Sequence, residues 1–382
     1  MQKWKFLLYG ITGDLAKKKI LPALAQFAFQ NQNTVAIELI GYSRSQPDPV
    51  EISTILRENT PDRNHWIHAI SFLQGEYLSP DTYFNIIRGL QDDERLITYL
   101  ATPPHTFLKI LQNSCPYSHR PIDIIMEKPF GENLTEAQHI LDVVRVCDLG
   151  SHVHFCDHYL FKTSANPNPI DAKNFAEIRH EQLNKITVKI AEFVDVAGRG
   201  GYYDSIGAFK DMFIHTFSLA KIGLEFYTTQ ANIDFDSFVV KNFKHGQYSG
   251  YCVDAEVEKS QTDTYFKVNG EIMVNGKPVL IQLASGKRLK HKQTEVEMSF
   301  LPGDVLHWEL APQQFITRKQ TDSNLQINLD KSKNLDHTNL FEDMLNGSEM
   351  RFVQPAEIIT SWNMYDKILK FVKENPVELE IY

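Results

Sequence analysis

The chain has few cysteines, no long apolar run and no surplus of positive charge. Only Cys115, Cys147, Cys156 and Cys252 occur among 382 residues. None forms a C-x-x-C pair and no histidine cluster flanks them, so neither a zinc site nor a disulfide framework is expected. They are expected to be reduced, partly buried thiols of a cytosolic protein. No stretch of about 20 apolar residues is present, which argues against a membrane-spanning helix. The apolar run in Met1–Gly10 is too short for a signal peptide, so the expected location is cytoplasmic. Lys and Arg number 39 against 48 Asp and Glu, a net charge of −9. That balance argues against nucleic acid or an anionic membrane as partner. The 19 Gly and 17 Pro are ordinary numbers, so collagen-like and low-complexity classes drop out.

What is present is patterning. Residues 1–160 alternate short apolar strands with helical stretches, which predicts a parallel sheet covered on both faces. The strands read as Trp4–Tyr9, Val35–Gly41, a weak Ile70–Leu73, Leu96–Ala101, Ile122–Met126 and His152–Cys156. Helices read as Asp14–Phe29 and Thr135–Cys147. The fold class is α/β, with an N-terminal Rossmann-type dinucleotide-binding domain over 1–160. Past Tyr159 the pattern changes. Asn166–Pro169 reads as a loop, Ile186–Val194 as β, and Asp204–Lys221 as helix. Two further strands, Tyr265–Val268 and Val279–Leu283, flank Asn275-Gly276, a strong hairpin signal. Glu295–Phe300 adds a strand and Pro355–Val372 a last helix. Residues 161–382 therefore read as an α+β substrate and oligomerisation domain with a large antiparallel sheet.

The first strand runs into Gly10-Ile11-Thr12-Gly13-Asp14-Leu15-Ala16. Glycines there permit a tight turn and close approach of backbone to a pyrophosphate, and the helix that follows offers free N–H groups. The spacing is G-x-x-G-x-x-A rather than G-x-G-x-x-G, so an ordinary strand–helix turn is the plain alternative. The second strand ends in Gly41-Tyr42-Ser43-Arg44-Ser45, with a guanidinium and no carboxylate. A carboxylate there suits the ribose hydroxyls of NAD, whereas Arg44, with Lys19, suits a 2′-phosphate and hence NADP. Lys17 and Lys18 read as a solvated basic face. Two further segments, Glu127–Gly131 and Asp157–Lys162, follow the fifth and sixth strands, where open α/β sheets bind ligands. Their carboxylates, imidazole, phenol and amines would satisfy a phosphorylated polyol. Taken singly, each is an ordinary surface charge.

At this point the chain resembles the glucose-6-phosphate dehydrogenase family. Gly10–Lys19 with Ile20 and Pro22 is similar to its G-x-x-G-D-L-A-K-K-K-I-x-P opening. Tyr99–Pro104 is similar to Y-L-A-x-P-P, and Glu127–Gly131 is E-K-P-F-G. Asp157–Leu160 with Lys162 resembles D-H-Y-L-G-K, Gly198–Asp204 is G-R-G-G-Y-[FY]-D, and Gly286–Leu289 is G-K-x-L. The resemblance implies hydride transfer from C1 of a hexose 6-phosphate to NADP, giving the lactone, in the pentose phosphate pathway. It implies His215 as general base, oriented by Asp157. It implies substrate contacts at Lys128, His158, Tyr159, Lys162, Glu192, Asp211 and Lys287. Cofactor contacts would fall on Gly10, Thr12, Gly13, Asp14, Leu15, Lys19, Arg44, Tyr99, Ala101, Pro103 and Lys128. No metal is implied, and a homodimer or higher homo-oligomer is.

The pattern breaks at the base. The family reads D-x-x-Q-N-H, with His five residues after Asp. Here the run is Asp211-Met212-Phe213-Ile214-His215-Thr216, which puts Thr216 at that spacing. One residue of shift rotates a helical side chain by ~100°, a change that a π-bulge absorbs. Phe161 stands where the family has glycine and is a candidate to narrow the site or displace Lys162. The chain also looks shortened, mainly between Lys221 and Asp263 and between Gln320 and Asp336. Two other readings stay open: a non-catalytic or altered-substrate nucleotide-binding homologue, and a sugar oxidoreductase of the Gfo/Idh/MocA type.

Overall fold

The computed structural model describes residues 1–64, 66–165, 182–227, 233–301, 303–311, 315–319, 324–328 and 335–382. The expected loop Asn166–Pro169 lies outside them. The chain divides into two compact units: Met1–Phe161 with Lys333–Ile359, and Lys162–Ser332 with Thr360–Tyr382.

The first unit is built on six parallel strands: β1 (Gln2–Tyr9), β2 (Val35–Ser43), β3 (Ala69–Gln74), β4 (Glu94–Leu100), β5 (Ile122–Glu127) and β6 (Val153–Cys156). Their order is β3-β2-β1-β4-β5-β6, the doubly wound arrangement, whose order reverses between β1 and β4. The inner strands are mostly apolar toward their carboxyl ends, Phe6–Tyr9 in β1 and Leu96–Leu100 in β4, as burial on both faces requires. All six residues of β5 are buried, Asp123 and Glu127 included. Helix α1 (Leu21–Gln30) continues from Asp14 through a π turn at Ala16–Ile20, and α2 (Pro49–Glu58), α3 (Pro80–Arg88) and α4 (Phe107–Ser114) follow along the chain. The widened turn thus falls just after the glycine turn. In the helix that carries His215 the turns are α-helical.

The unit is completed by a segment that sequence patterning assigned to the second half. Helix α7 (Asp336–Asn346) lays Phe341 edge-on against Phe6 at 5.4 Å. Arg351 grips Asp343 through Nε and Nη2, both at 2.6 Å, and Val353 bridges to Phe155. Beneath this lies a charged cluster. Arg95 Nε donates to Asp123 Oδ2 at 2.5 Å, and His154 Nε2 meets Asp123 Oδ1 at 2.8 Å. His154 Nδ1 lies 3.3 Å from Glu349. Burial alone would lower the His154 pKa. The carboxylates of Asp123 and Glu349 outweigh it and push the pKa up to about 9.

One expectation fails here. Cys115 and Cys147 are joined by a disulfide, with Cα atoms 4.9 Å apart. Cys156 and Cys252 are free. The partners are 32 residues apart. They meet because helix α5 (Leu134–Val146) runs back along the sheet to end beside the turn at Cys115. Linear spacing carries no trace of that return.

The second unit is a nine-stranded sheet in the order β14-β13-β12-β11-β7-β10-β9-β8-β15. Its strands are β7 (Gln182–Ala191), β8 (Ile233–Gln247), β9 (Tyr265–Val274), β10 (Lys277–Gly286), β11 (Gln293–Leu301), β12 (Val305–Ala311), β13 (Phe315–Lys319), β14 (Asn324–Asn328) and β15 (Glu380–Ile381). Most neighbours are antiparallel, but β7–β10 and β8–β15 are parallel. The β9–β10 hairpin turns on Asn275 (φ 52) and Gly276 (φ 73), the positive-φ pair of a type I′ turn. Strand β8 was not legible, because its 15 residues are half polar and bulged against β9. Helix α6 (Gly200–Tyr227) covers β7, β9, β10 and β11. Phe209, stacked at 4.6 Å on Tyr365 of helix α8 (Pro355–Glu374), anchors it. No helix among the described residues is long and apolar enough to cross a membrane.

Candidate active site

In the first unit the expected cofactor residues gather at the carboxyl ends of β1, β2 and β4. Gly10 has φ 79, and a Cβ there would run into the Ala101 carbonyl. Gly10 and Ala101 are also stitched to the sheet: Gly10 N donates to Tyr42 O at 2.8 Å and Ala101 N to Tyr9 O at 3.1 Å. The turn closes when Gly13 N donates to Gly10 O at 2.9 Å. This is a backbone cradle where the strand order reverses, with Asp14 and Leu15 exposed at the helix start. It fits a dinucleotide pyrophosphate. Thr12 is tied to the end of β2 through Ser45 Oγ at 3.3 Å. Arg44 is exposed there, its guanidinium 5.6 Å from the Tyr77 ring centroid. Lys19 is exposed as well, whereas Lys17 pairs with Glu51 at 2.7 Å and Lys18 with Asp14 at 2.8 Å. The latter two, read from sequence as a solvated basic face, are each paired with a carboxylate. Pro103 opens the short turn Pro104–Thr106 after β4.

Tyr99 is fully buried, and its phenol donates to Glu127 Oε1 at 2.5 Å. His337 Nε2 meets the same oxygen at 2.9 Å. Burial, followed by the Glu127 charge, holds the Tyr99 pKa well above the ordinary phenol range, so it stays a donor. The carboxylate that precedes Lys128 is therefore locked from two sides. Sequence reading missed His337. Its only signal was a histidine on the core face of the tail helix. The His337 ring lies parallel to that of His158 at 6.2 Å, and Tyr159 sits 4.7 Å from His158 on another side. Asp157 is fully buried and accepts from Tyr159 N at 3.0 Å, capping the turn His158–Phe161. Lys128 is half-buried. Phe161 does not narrow this region. Its ring is buried, 5.1 Å from Phe352 and 5.4 Å from the Arg351 guanidinium carbon. The glycine-to-phenylalanine change is absorbed by the returning tail.

In the second unit Lys287 and Glu192 are brought together. They follow β10 and β7, parallel neighbours, and the Lys287 Nζ to Glu192 Oε2 distance is 2.5 Å. Glu192 N donates to Gly286 O and Leu289 N to Glu192 O, both at 2.9 Å, so backbone fixes the register. Lys287 is buried and Glu192 half-buried. Helix α6 supplies Asp211, half-buried, and His215, 1% exposed. The helix breaks at Gly207 (φ 72, ψ 169) and restarts under Asp263. Asp263 Oδ2 accepts from Phe209 N at 2.7 Å, and its carbonyl accepts from Ala208 N at 2.8 Å. Burial pushes the Asp263 pKa up to about 6. After the restart the helix is regular, so the four-residue spacing sets His215 on the same face as Asp211. Thr216 spends its hydroxyl on Phe213 O at 2.7 Å. Lys162 is half-buried at the start of this unit, its carbonyl accepting from Ala165 N at 2.8 Å.

Residues 7–166 match the family model described as the NAD binding domain of glucose-6-phosphate dehydrogenase. A glucose-6-phosphate 1-dehydrogenase of Helicobacter pylori is 24% identical over 422 aligned positions, covering 100% of this chain and 96% of the relative. The chain is thus similar along its whole length, at low identity, to glucose-6-phosphate dehydrogenases. A solved glucose-6-phosphate dehydrogenase in complex with glucose 6-phosphate superposes with a TM-score of 0.81 at 22% identity, over 100% of this chain and 94% of that one. A Gfo/Idh/MocA family oxidoreductase from Vibrio cholerae shares the fold less closely, with a TM-score of 0.58 at 11% identity over 97% and 98% of the two chains. The chain's 382 residues spread over 422 aligned positions, so gaps fall on its side of the alignment.

Proposed function

We propose that this dehydrogenase oxidises C1 of a hexose 6-phosphate, glucose 6-phosphate or a close analogue, to the lactone with NADP as acceptor. The observation that carries the reading is the match along the whole chain to enzymes of that activity. When bound, the cofactor supplies the hydride acceptor. The chain supplies the rest. Gly10, Thr12, Gly13, Asp14 and Leu15, with the Ala101 and Pro103 loop, hold the pyrophosphate. Arg44, with Lys19, holds the 2′-phosphate and sets the preference for NADP over NAD. Lys128 meets both substrate and cofactor, and Tyr99, too buried to touch the cofactor as the resemblance implied, positions that lysine through Glu127. His158, Tyr159 and Lys162 take the sugar phosphate, and Glu192, Asp211 and Lys287 take its hydroxyls. His215 accepts the C1 hydroxyl proton, with Asp157 proposed as the carboxylate that steadies its imidazolium. An imidazole has the right basicity for that transfer near neutral pH. His215 is preferred to Thr216 because the Thr216 hydroxyl is engaged with its own helix and lacks a basic lone pair near neutral pH. We further propose a homo-oligomer of this chain.

The test is nicotinamide reduction, with NADP and NAD each offered glucose 6-phosphate, glucosamine 6-phosphate and free glucose. Turnover with NADP and a sugar phosphate is the expected result, and the best substrate names the sugar. Cofactor-dependent heat stabilisation without turnover on any sugar phosphate overturns the reading in favour of a non-catalytic homologue.

A further inference from the structure

Four tyrosines surround the Lys287 end of the second unit, and three of them have satisfied phenols. Tyr251 donates to Asp204 Oδ1 at 2.9 Å, Tyr248 accepts from Val196 N at 3.3 Å, and Tyr382 donates to Lys287 O at 2.7 Å. Tyr203 differs. It is 4% exposed, its phenolic oxygen is enclosed, and it has no hydrogen-bond partner among the described residues. Its ring lies 6.4 Å from that of Tyr251, and the Lys287 ammonium sits 5.2 Å from its centroid. That ammonium is the one paired with Glu192.

A buried hydroxyl left unpaired is destabilising. Phenylalanine fills the same ring volume without that cost. A phenol retained there points to a partner that arrives with a ligand, and the neighbouring groups say which kind. A buried ammonium, a half-buried carboxylate and a phenol are the donor and acceptor set for polyol hydroxyls. Burial, with the charges of Asp211, Asp263 and Glu192, raises the Tyr203 pKa, so the group keeps its proton and donates.

We infer that Tyr203 is a substrate-selecting residue whose phenolic O–H bonds a ring hydroxyl of the sugar held by Lys287 and Glu192. The inference rests on the proposed function and adds a contact to it. A site built to pair a buried polar group rejects an analogue that lacks the partner, so Tyr203 would discriminate among hexose phosphates that differ at one hydroxyl.

The experiment is Tyr203→Phe, assayed with glucose 6-phosphate and with a series of analogues each lacking one ring hydroxyl. The variant is expected to melt at the wild-type temperature or above it. Its KM for glucose 6-phosphate should rise about 5- to 20-fold, with kcat changing less and the cofactor KM unmoved. One deoxy analogue should show equal KM values in wild type and variant, because the contact is already lost. An unchanged KM, or a lower melting temperature with unchanged KM, makes the hydroxyl structural and overturns the inference. A KM rise equal for every analogue assigns the effect to ring packing and overturns it too. Should the wild type neither bind nor oxidise any hexose phosphate, the functional reading falls and takes this inference with it. Should the wild type turn over and Tyr203→Phe match it, this inference alone falls.

Discussion

The two units prepare for ligand by opposite means. In the first, the expected cofactor contacts are mostly backbone, created by a glycine whose Cβ has no room and by a helix that starts in the turn. In the second, the expected substrate contacts are side chains: a buried ammonium, a carboxylate 95 residues away in sequence, and a histidine on a covering helix. A backbone site is specified by a few adjacent residues and tolerates a shared ligand chemistry. A side-chain site draws on distant segments and can change its substrate one residue at a time. The difference teaches where to look for divergence, and the departures from the family pattern do lie in the second unit or next to it.

The largest effect should come from the side-chain unit. His215→Ala is expected to cut kcat by ~10²–10⁴-fold while leaving NADP affinity near wild type. Steady-state rates with a cofactor titration check this, and a fully active variant would remove His215 as base. Next comes the backbone unit. Gly10→Ala forces a side chain into a positive-φ position against the Ala101 carbonyl. It should lower stability by about 1–3 kcal/mol and weaken NADP at least tenfold with little change in sugar-phosphate recognition. Denaturant unfolding and cofactor titration read the two parts. Loss of sugar binding without loss of cofactor binding would break the contrast between the units.

A smaller effect tests the charged cluster that docks the tail segment in the first unit. His154 has a folded-state pKa of about 9 against an ordinary value of 6.5. Its stabilising contribution is therefore complete below about pH 6.5 and is lost as pH rises through about 9. The amount is about 3 kcal/mol. Melting temperatures across that window should fall in the wild type and fall less in His154→Gln. Parallel curves would remove His154 as the titrating group. The smallest effect is the one side chain that matters most in the backbone unit. Arg44→Ala should cost NADP about tenfold and NAD little, as the loss of an exposed charge-assisted contact would. An unchanged ratio of the two cofactors would mean the 2′-phosphate is read elsewhere.

Much of the first unit was legible because its signals are local. The glycine turn follows the first strand immediately, and the inner strands are short, mostly apolar runs. The strand ends were placed within two residues, Ile122–Met126 against Ile122–Glu127 for one. Less of the second unit was legible. Strand β8 carries no clean alternation, and the β7–β10 pair is parallel, so no hairpin announces it. Asp123 and His154 are single polar residues within strands, and His337 lies in a helix that sequence patterning did not place. Their meaning lies in partners 28 to 210 residues away.

By itself the sequence determined the dinucleotide-binding order of the first half, the basic rather than acidic end of β2, and a set of chemical groups suited to a phosphorylated sugar. Those are properties of consecutive residues. Only the tertiary structure decided that Cys115 is bonded to Cys147, that Phe161 is buried under Arg351, and that Lys287 is paired with Glu192. It also showed the Tyr203 phenol enclosed without a partner among the described residues. Each of these depends on which surfaces exclude water together. Burial and hydrogen bonding are set by neighbours in space, which residue order alone does not fix.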